Sequence, residues 1–224
     1  MRAPLIFLCL LLMSCGRPLT DTERAFFNDI AGDSFDPAPV RITKNAPLGV
    51  ATFTREVRPR LTCRERIYPA PEPGPVTTSP AGVVLWNHLY TSEGWSVPNY
   101  MPAYPGKIHL EAAMYFAHEM VHVWQWQNRD LTGYSPWKAA NEHQVSDDPY
   151  LFEVTSDATF LTYHYEQQAS VVEEYLCCTL LDPDAPRTER LTDLVEEVFP
   201  TQNLPRPEQV MLPWEAAQIR GICR

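Results

Sequence analysis

The sequence predicts an α+β fold, mostly helical, with a small N-terminal β-sheet ahead of one long histidine-bearing helix. Three observations carry this expectation. β-branched runs broken by proline and glycine are confined to residues 40–90. Apolar positions at helical spacing dominate from residue 107 onward. The segment "FAHEMVHVWQWQNR", residues 116–129, carries Phe116, Val121, Val123, Trp124 and Trp126, which is too much apolar surface for a solvated helix.

Taken in order, "MRAPLIFLCLLLMSC" has one arginine and then an apolar run from Leu5 to Met13. That run is too short to span a bilayer and reads as the core of an export signal. Its end, "LMSC", resembles the lipobox of bacterial lipoproteins. The expectation is a signal peptide over residues 1–14, lipidated Cys15 as the new N-terminus, and a single domain over 15–224 with a C-terminal helical extension. The resemblance implies a bacterial cell-envelope protein, lipid-anchored to the membrane and facing the periplasm or exterior.

"LTDTERAFFNDIAGDSF" predicts a short helix capped by Thr20 or Asp21 and ended by Gly32. Residues 39–69 predict two or three short strands, residues 69–80 a proline-rich exposed connection, and "GVVLWNHLY", residues 82–90, one strand. A long helix is expected over 107–129, a weak strand over 149–154 and a second long helix over 158–181, stopped by Asp182-Pro183. A third amphipathic helix follows over 187–199, and the tail holds at most a short helix.

With 22 prolines against nine glycines, the connections read as rigid and extended. The net charge of −10, with no basic stripe, excludes a nucleic-acid partner from the expectation. Export leaves Cys63, Cys177, Cys178 and Cys223 in an oxidising compartment, where two disulfides are expected. Adjacent Cys177 and Cys178 pair with each other only at considerable strain, so Cys63 and Cys223 should take one each, in either order.

His118 and His122 are four apart and project from one helical face about one turn apart. That spacing lets two imidazole nitrogens reach one ion at about 2.0–2.1 Å. Glu119 between them can contact a metal-bound water, which completes an HExxH pattern. A catalytic zinc also needs a third protein ligand and one open position. Gln125 and Asn128 stand where an HExxHxxGxxH arrangement would continue, so no third histidine is supplied there. A carboxylate from a later segment is the remaining common solution. The candidates are Glu153, Asp157 and Glu166, with helix placement favouring Glu166 and Glu153 next. His88, His109 and His143 have no partner pattern and read as non-ligands. Tyr163, His164, Tyr165 and Tyr175 are the candidate donors to a developing oxyanion.

"HEMVHVWQ", followed by a tyrosine-rich segment and "EQQASVVEEY", resembles a group of small bacterial metallopeptidase domains of Vgr-related and Rhs-associated proteins. These belong among the gluzincin-like zincins. "LTDTERAFFNDIAGDSFDPAPVRI" is similar to their N-terminal helix and strand, so the likeness covers roughly residues 19–175. The resemblance implies a zincin-like fold, Zn2+ held by His118, His122 and Glu166, catalytic Glu119, and a peptide or protein substrate. The lipoprotein-like start, the four exported cysteines and the C-terminal extension depart from that group. The expected function is zinc-dependent peptide-bond hydrolysis with Glu119 as general base. The alternative is a catalytically silent lipoprotein that keeps the fold as a binding or structural module.

Overall fold

The computed structural model describes residues 16–146, 148–154 and 157–224. The expected signal segment 1–14 and Cys15 lie outside the described residues. Helix α1, Asp21–Ala31, opens on a reciprocal cap. Thr20 Oγ1 accepts from the Glu23 amide at 3.2 Å, and Glu23 Oε2 accepts from the Thr20 amide at 2.8 Å. Phe26, Phe27 and Ile30 form its buried face. It ends at Gly32, where φ is 55° and a Cβ would stand 2.7 Å from Pro200 Cγ. Only glycine meets both conditions.

Strands β1 (Arg41–Thr43) and β2 (Phe53–Arg55) are followed by the single turn α2, Cys63–Arg66. Strands β3 (Val76–Thr78), β4 (Gly82–Leu85) and β5 (His88–Thr91) complete the N-terminal part. One sheet has the order β1-β5-β4, with β1 parallel and β4 antiparallel to β5, which leaves β4 at its edge. β2 and β3 form a separate antiparallel ribbon, Phe53 opposite Thr78. Two expectations are corrected here. Residues 82–90 are a hairpin rather than one strand, because the chain reverses at Trp86-Asn87, where Trp86 takes a φ of 60°. Trp86 is held there against Trp126, and Asn87 accepts from Gln127. The proline-rich connection 69–80 contains β3, since its "VTT" run finds a partner in β2.

Strand β6 (Lys107–His109) leads directly into α3, Leu110–Gln127. The expected helix 107–129 therefore starts three residues late, because Lys107 to His109 pair in parallel with a C-terminal strand. The turn α4 (Arg129–Thr132) and helix α5 (Pro136–Val145) come next. α5 was not expected; Ser135 caps it and Pro136 occupies its first turn. Residues 149–154 form no strand. α6 spans Tyr165–Leu181, shorter than the expected 158–181, because Phe160–Thr162 make a 3-10 turn and His164 is the cap. α7 (Pro186–Glu196) and β7 (Gln209–Met211) follow, the latter pairing with β6.

Buried side chains from α1, the sheet, α3, α6 and α7 join in one hydrophobic cluster around Trp124, Phe116 and Phe160. Two disulfides, Cys63–Cys177 and Cys178–Cys223, fasten α2 and the C-terminus to α6. Among the described residues no helix is long and apolar enough to cross a membrane.

Glu23 ties the N-terminal segment to this core. Its buried carboxylate takes two 2.7 Å bonds from Arg17 and one from the Tyr100 amide at 2.9 Å. Burial alone would raise its pKa, but these donors hold it below the usual carboxylate range. Stabilisation from a lowered pKa is present above the unfolded value of 4.5 and is lost as pH falls through the folded one. Glu23→Gln should therefore destabilise by about 3–5 kcal/mol at pH 7. The gap from wild type should narrow below pH 4.5, as read by urea unfolding at a series of pH values.

Candidate metal centre

α3 and α6 are apolar on most of their surfaces and bury against each other. Their polar contacts set an antiparallel alignment: His118 meets Glu173, whereas Gln125, two turns later, meets Tyr165 and Gln168. Where the helices face each other, His118 Nε2, His122 Nε2 and Glu166 Oε2 converge. Their separations are 3.2 Å (His118–Glu166), 3.3 Å (His122–Glu166) and 3.3 Å (His118–His122). Four ligands placed tetrahedrally at zinc-like bond lengths stand about 3.3–3.4 Å apart. The three atoms thus form one face of such a tetrahedron, and this buried trio can hold a metal ion.

The hydrogen bonds behind the trio present the correct lone pairs. Gln125 Nε2 donates to the Tyr165 carbonyl at 3.1 Å and to Gln168 Oε1 at 2.9 Å, so its Oε1 faces His122 Nδ1, at 2.8 Å. His122 therefore carries its proton on Nδ1 and turns a free lone pair on Nε2 towards the trio. His118 Nδ1 faces Glu173 Oε2 at 3.5 Å, an ion-pair contact too long for a well-formed hydrogen bond, and has no other partner among the described residues.

Two short elements hold the carboxylates. On α5, buried Glu142 accepts from the Tyr165 and Glu166 amides at 2.9 and 3.0 Å, capping α6 across the fold. Its neighbour His143 donates from Nε2 to Glu166 Oε1 at 3.1 Å, which leaves Oε2 to the trio. On α2, Arg64 bonds Glu173 Oε2 at 2.5 Å and Ser170 Oγ at 3.1 Å. Glu174, one residue on, accepts from the first amides of α2, Cys63 and Arg64, at 3.0 and 3.2 Å.

The electrostatics demand positive charge. Burial alone lowers the pKa of His118, but Glu173 and Glu166 push it up to about 10. Burial would raise Glu166 and Glu173; instead the imidazoles keep Glu166 well below the usual range, and Arg64 and His118 bring Glu173 to about 2. Glu119 is pushed up to about 7, chiefly by burial.

A cleft of about 870 Å³ opens on this centre, so the fourth side of the tetrahedron faces a space that water can enter. Glu119 lines it beside edge strand β4. A Cβ on Gly82 would lie 2.5 Å from Glu119 Oε1 and 2.6 Å from the Tyr115 hydroxyl, so β4 presents bare backbone to that carboxylate.

Of the three ligand candidates, Glu166 joins the histidines, while Glu153 and Asp157 are exposed and outside the trio. The expected oxyanion donors are corrected. Tyr163, His164, Tyr165 and Tyr175 do not line the cleft, whereas Tyr134 and Tyr150 do. Tyr134 stacks on His122 and Tyr150 packs against His118 and His143. Burial, then the charge of Glu166, raises both phenols, so each remains a donor at neutral pH. His143, expected to have no partner, reaches Glu166; His88 bonds Thr43 in the sheet and His109 is exposed. Glu142, Glu173 and Arg64 were not anticipated. The Ser135-Pro136 helix start would have placed the first of them on a helix.

Glu166→Gln should abolish tight binding of a divalent ion, whereas Glu153→Gln should leave it intact. Glu173→Gln should weaken it about 10- to 100-fold, because the negative charge that faces His118 Nδ1 is removed. Chelator competition with each purified variant reads all three.

No family model matches this chain, and no curated protein does. A solved structure does: the effector domain of Pseudomonas aeruginosa VgrG2b, at 22% identity and a TM-score of 0.50, over 83% of this chain and 84% of that one. The chain therefore shares the fold of a Vgr-related effector domain along most of its length.

Proposed function

We propose that this chain is a zinc-dependent metallopeptidase of zincin-like fold, with Glu119 as general base. The observation that carries the reading is the 3.2–3.3 Å triangle of His118, His122 and Glu166, open to a cleft that Glu119 also lines. Two imidazoles and one carboxylate are a donor set suited to zinc. A zinc ion held by these three residues would supply an acidified water and polarise a substrate carbonyl.

The chain's own residues supply the rest. Glu119 takes a proton from the attacking water and returns it to the leaving amine. Tyr134 and Tyr150 are protonated donors on the cleft wall, suited to the charge developing on the carbonyl oxygen. β4 is an edge strand along the cleft, and an extended peptide can pair with its free side. Gly82 supports this arrangement, since its bare backbone brings the strand close to Glu119. The two disulfides favour an oxidising, exported setting, in keeping with a lipid-anchored envelope protein.

Metal content by mass spectrometry, followed by casein hydrolysis, tests the reading. Wild type should hold about one zinc per chain and cleave casein. Glu119→Gln should keep the metal and lose about 100- to 10,000-fold in rate. Stoichiometric metal with no Glu119-dependent cleavage would leave the silent binding module instead.

A further inference from the structure

The segment from β2 to α2 places Arg55, Arg58, Arg60 and Arg64 on one wall of the cleft, in a chain whose net charge is −10. Three of the four are already engaged. Arg64 pairs with Glu173 and Glu65. Arg58 pairs with Asp148 and lies 4.8 Å over the Tyr150 ring. Arg60 donates to the carbonyls of Glu65, Arg66 and Tyr68.

Arg55 is different. Its guanidinium donates only to the neighbouring Glu56 carbonyl, at 3.0 Å, and it forms no ion pair among the described residues. It is half-buried, and a partly desolvated cation without a counter-charge is unfavourable. Burial, then the charges of Arg58 and Arg64, hold its pKa below the usual guanidinium value, although Asp148 and Glu65 pull the other way. Asp148 and Glu65 are themselves paired with Arg58 and Arg64, so among the described residues Arg55 has no ion-pair partner of its own.

Its neighbours also locate it relative to the metal centre. Arg58 covers Tyr150, which packs on His118, and Arg64 bonds Glu173, which faces His118. Arg55 lines the same cleft as the trio, so an anion bound there would share that space with a substrate at the metal centre, beside the Glu65 and Glu111 carboxylates that also line it.

We infer that Arg55 is a specificity-determining residue that receives a substrate carboxylate, from an acidic side chain near the scissile bond or from the peptide's C-terminus. A guanidinium suits this because its planar fork can bond both carboxylate oxygens. The inference rests on the peptidase reading for its biological sense, but the binding site can be tested without turnover.

The probe is Glu119→Gln protein, loaded with zinc, and two short fluorescent peptide pools that differ only in Glu against Gln. Each pool is made with a free and with an amidated C-terminus. Carboxylate-bearing pools should bind about 10- to 100-fold tighter than their neutral counterparts. Dependence on Glu identifies a side-chain site, and dependence on the free terminus identifies an end-binding site. Adding Arg55→Gln should erase the difference while metal content and melting temperature stay unchanged, and Arg55→Glu should reverse it in favour of the Gln-bearing, amidated pools. Equal affinity for charged and neutral pools, or no binding of any pool, overturns the inference. Casein cleavage by wild type judges the peptidase reading separately. Cleavage without carboxylate preference overturns only the Arg55 site; preference without cleavage overturns only the peptidase.

Discussion

The carboxylates of Glu166 and Glu173 are buried with two imidazoles between α3 and α6, and such an interface is tolerable only if positive charge stands with them. Arg64 meets that need at one end by pairing with Glu173. At the other end, the ion-pair partners of Glu166 among the described residues are histidines, and the pKa of His118, lifted by Glu173 and then by Glu166, expresses the same need as a retained proton. A divalent cation at the trio would answer it more completely, since His118, His122 and Glu166 could each offer it one lone pair. Much of the surrounding structure can be understood as holding these charges in register. α5 fixes the first turn of α6 through Glu142 and aims Glu166 through His143. α2 fixes Glu173 two turns further along.

The disulfides belong to this arrangement. α2 is a single turn and could not hold its place by helix formation alone. Glu174 caps it, and the Cys63–Cys177 bridge closes 114 residues of chain next to the Arg64–Glu173 pair. Closing a loop of that size contributes about 4–5 kcal/mol in the chain-entropy account. The bond thus stabilises the fold and holds Arg64 where it neutralises the charge behind His118. Cys178–Cys223 fastens the C-terminal segment to the same helix, so both bridges end on the element that carries Glu166.

How much of this could be read in the sequence depends on whether the signal was local. The capped helix at Thr20, the four-residue spacing of His118 and His122, and the emergence of Glu166 from the edge of an apolar stripe are local patterns, and each has its counterpart in the structure. The exclusion of a Cys177–Cys178 bond followed from covalent geometry, and the two bridges observed respect it. Tertiary choices left no such trace. Lys107 to His109 look helical, yet they pair with a strand about a hundred residues away. The hairpin turn lacks the Asn-Gly or Asp-Gly that usually announces one; Trp86 adopts the left-handed region, with its ring edge-on to Trp126 of α3. The roles of His143 and Glu173 exist only once α5 and α6 are docked.

Gly82 connects the edge strand to the chemistry. Any other residue there would bring a Cβ to 2.5 Å from Glu119 Oε1 and 2.6 Å from the Tyr115 hydroxyl, so the Glu119 carboxylate would have to leave its present position. The Tyr115 hydroxyl meanwhile donates to the Ala81 carbonyl at 3.2 Å, which pins the start of β4 at this height above the helix. The strand, the Glu119 carboxylate and the trio therefore line one cleft, with β4 in contact distance of Glu119 at Gly82. A peptide that paired with β4 would be aligned by main-chain bonds, and its side chains would be left to the remaining surfaces. The arginine-lined wall is one of these, so under the proposed function strand pairing would set the register of a substrate and Arg55 would set which residue is welcome in it.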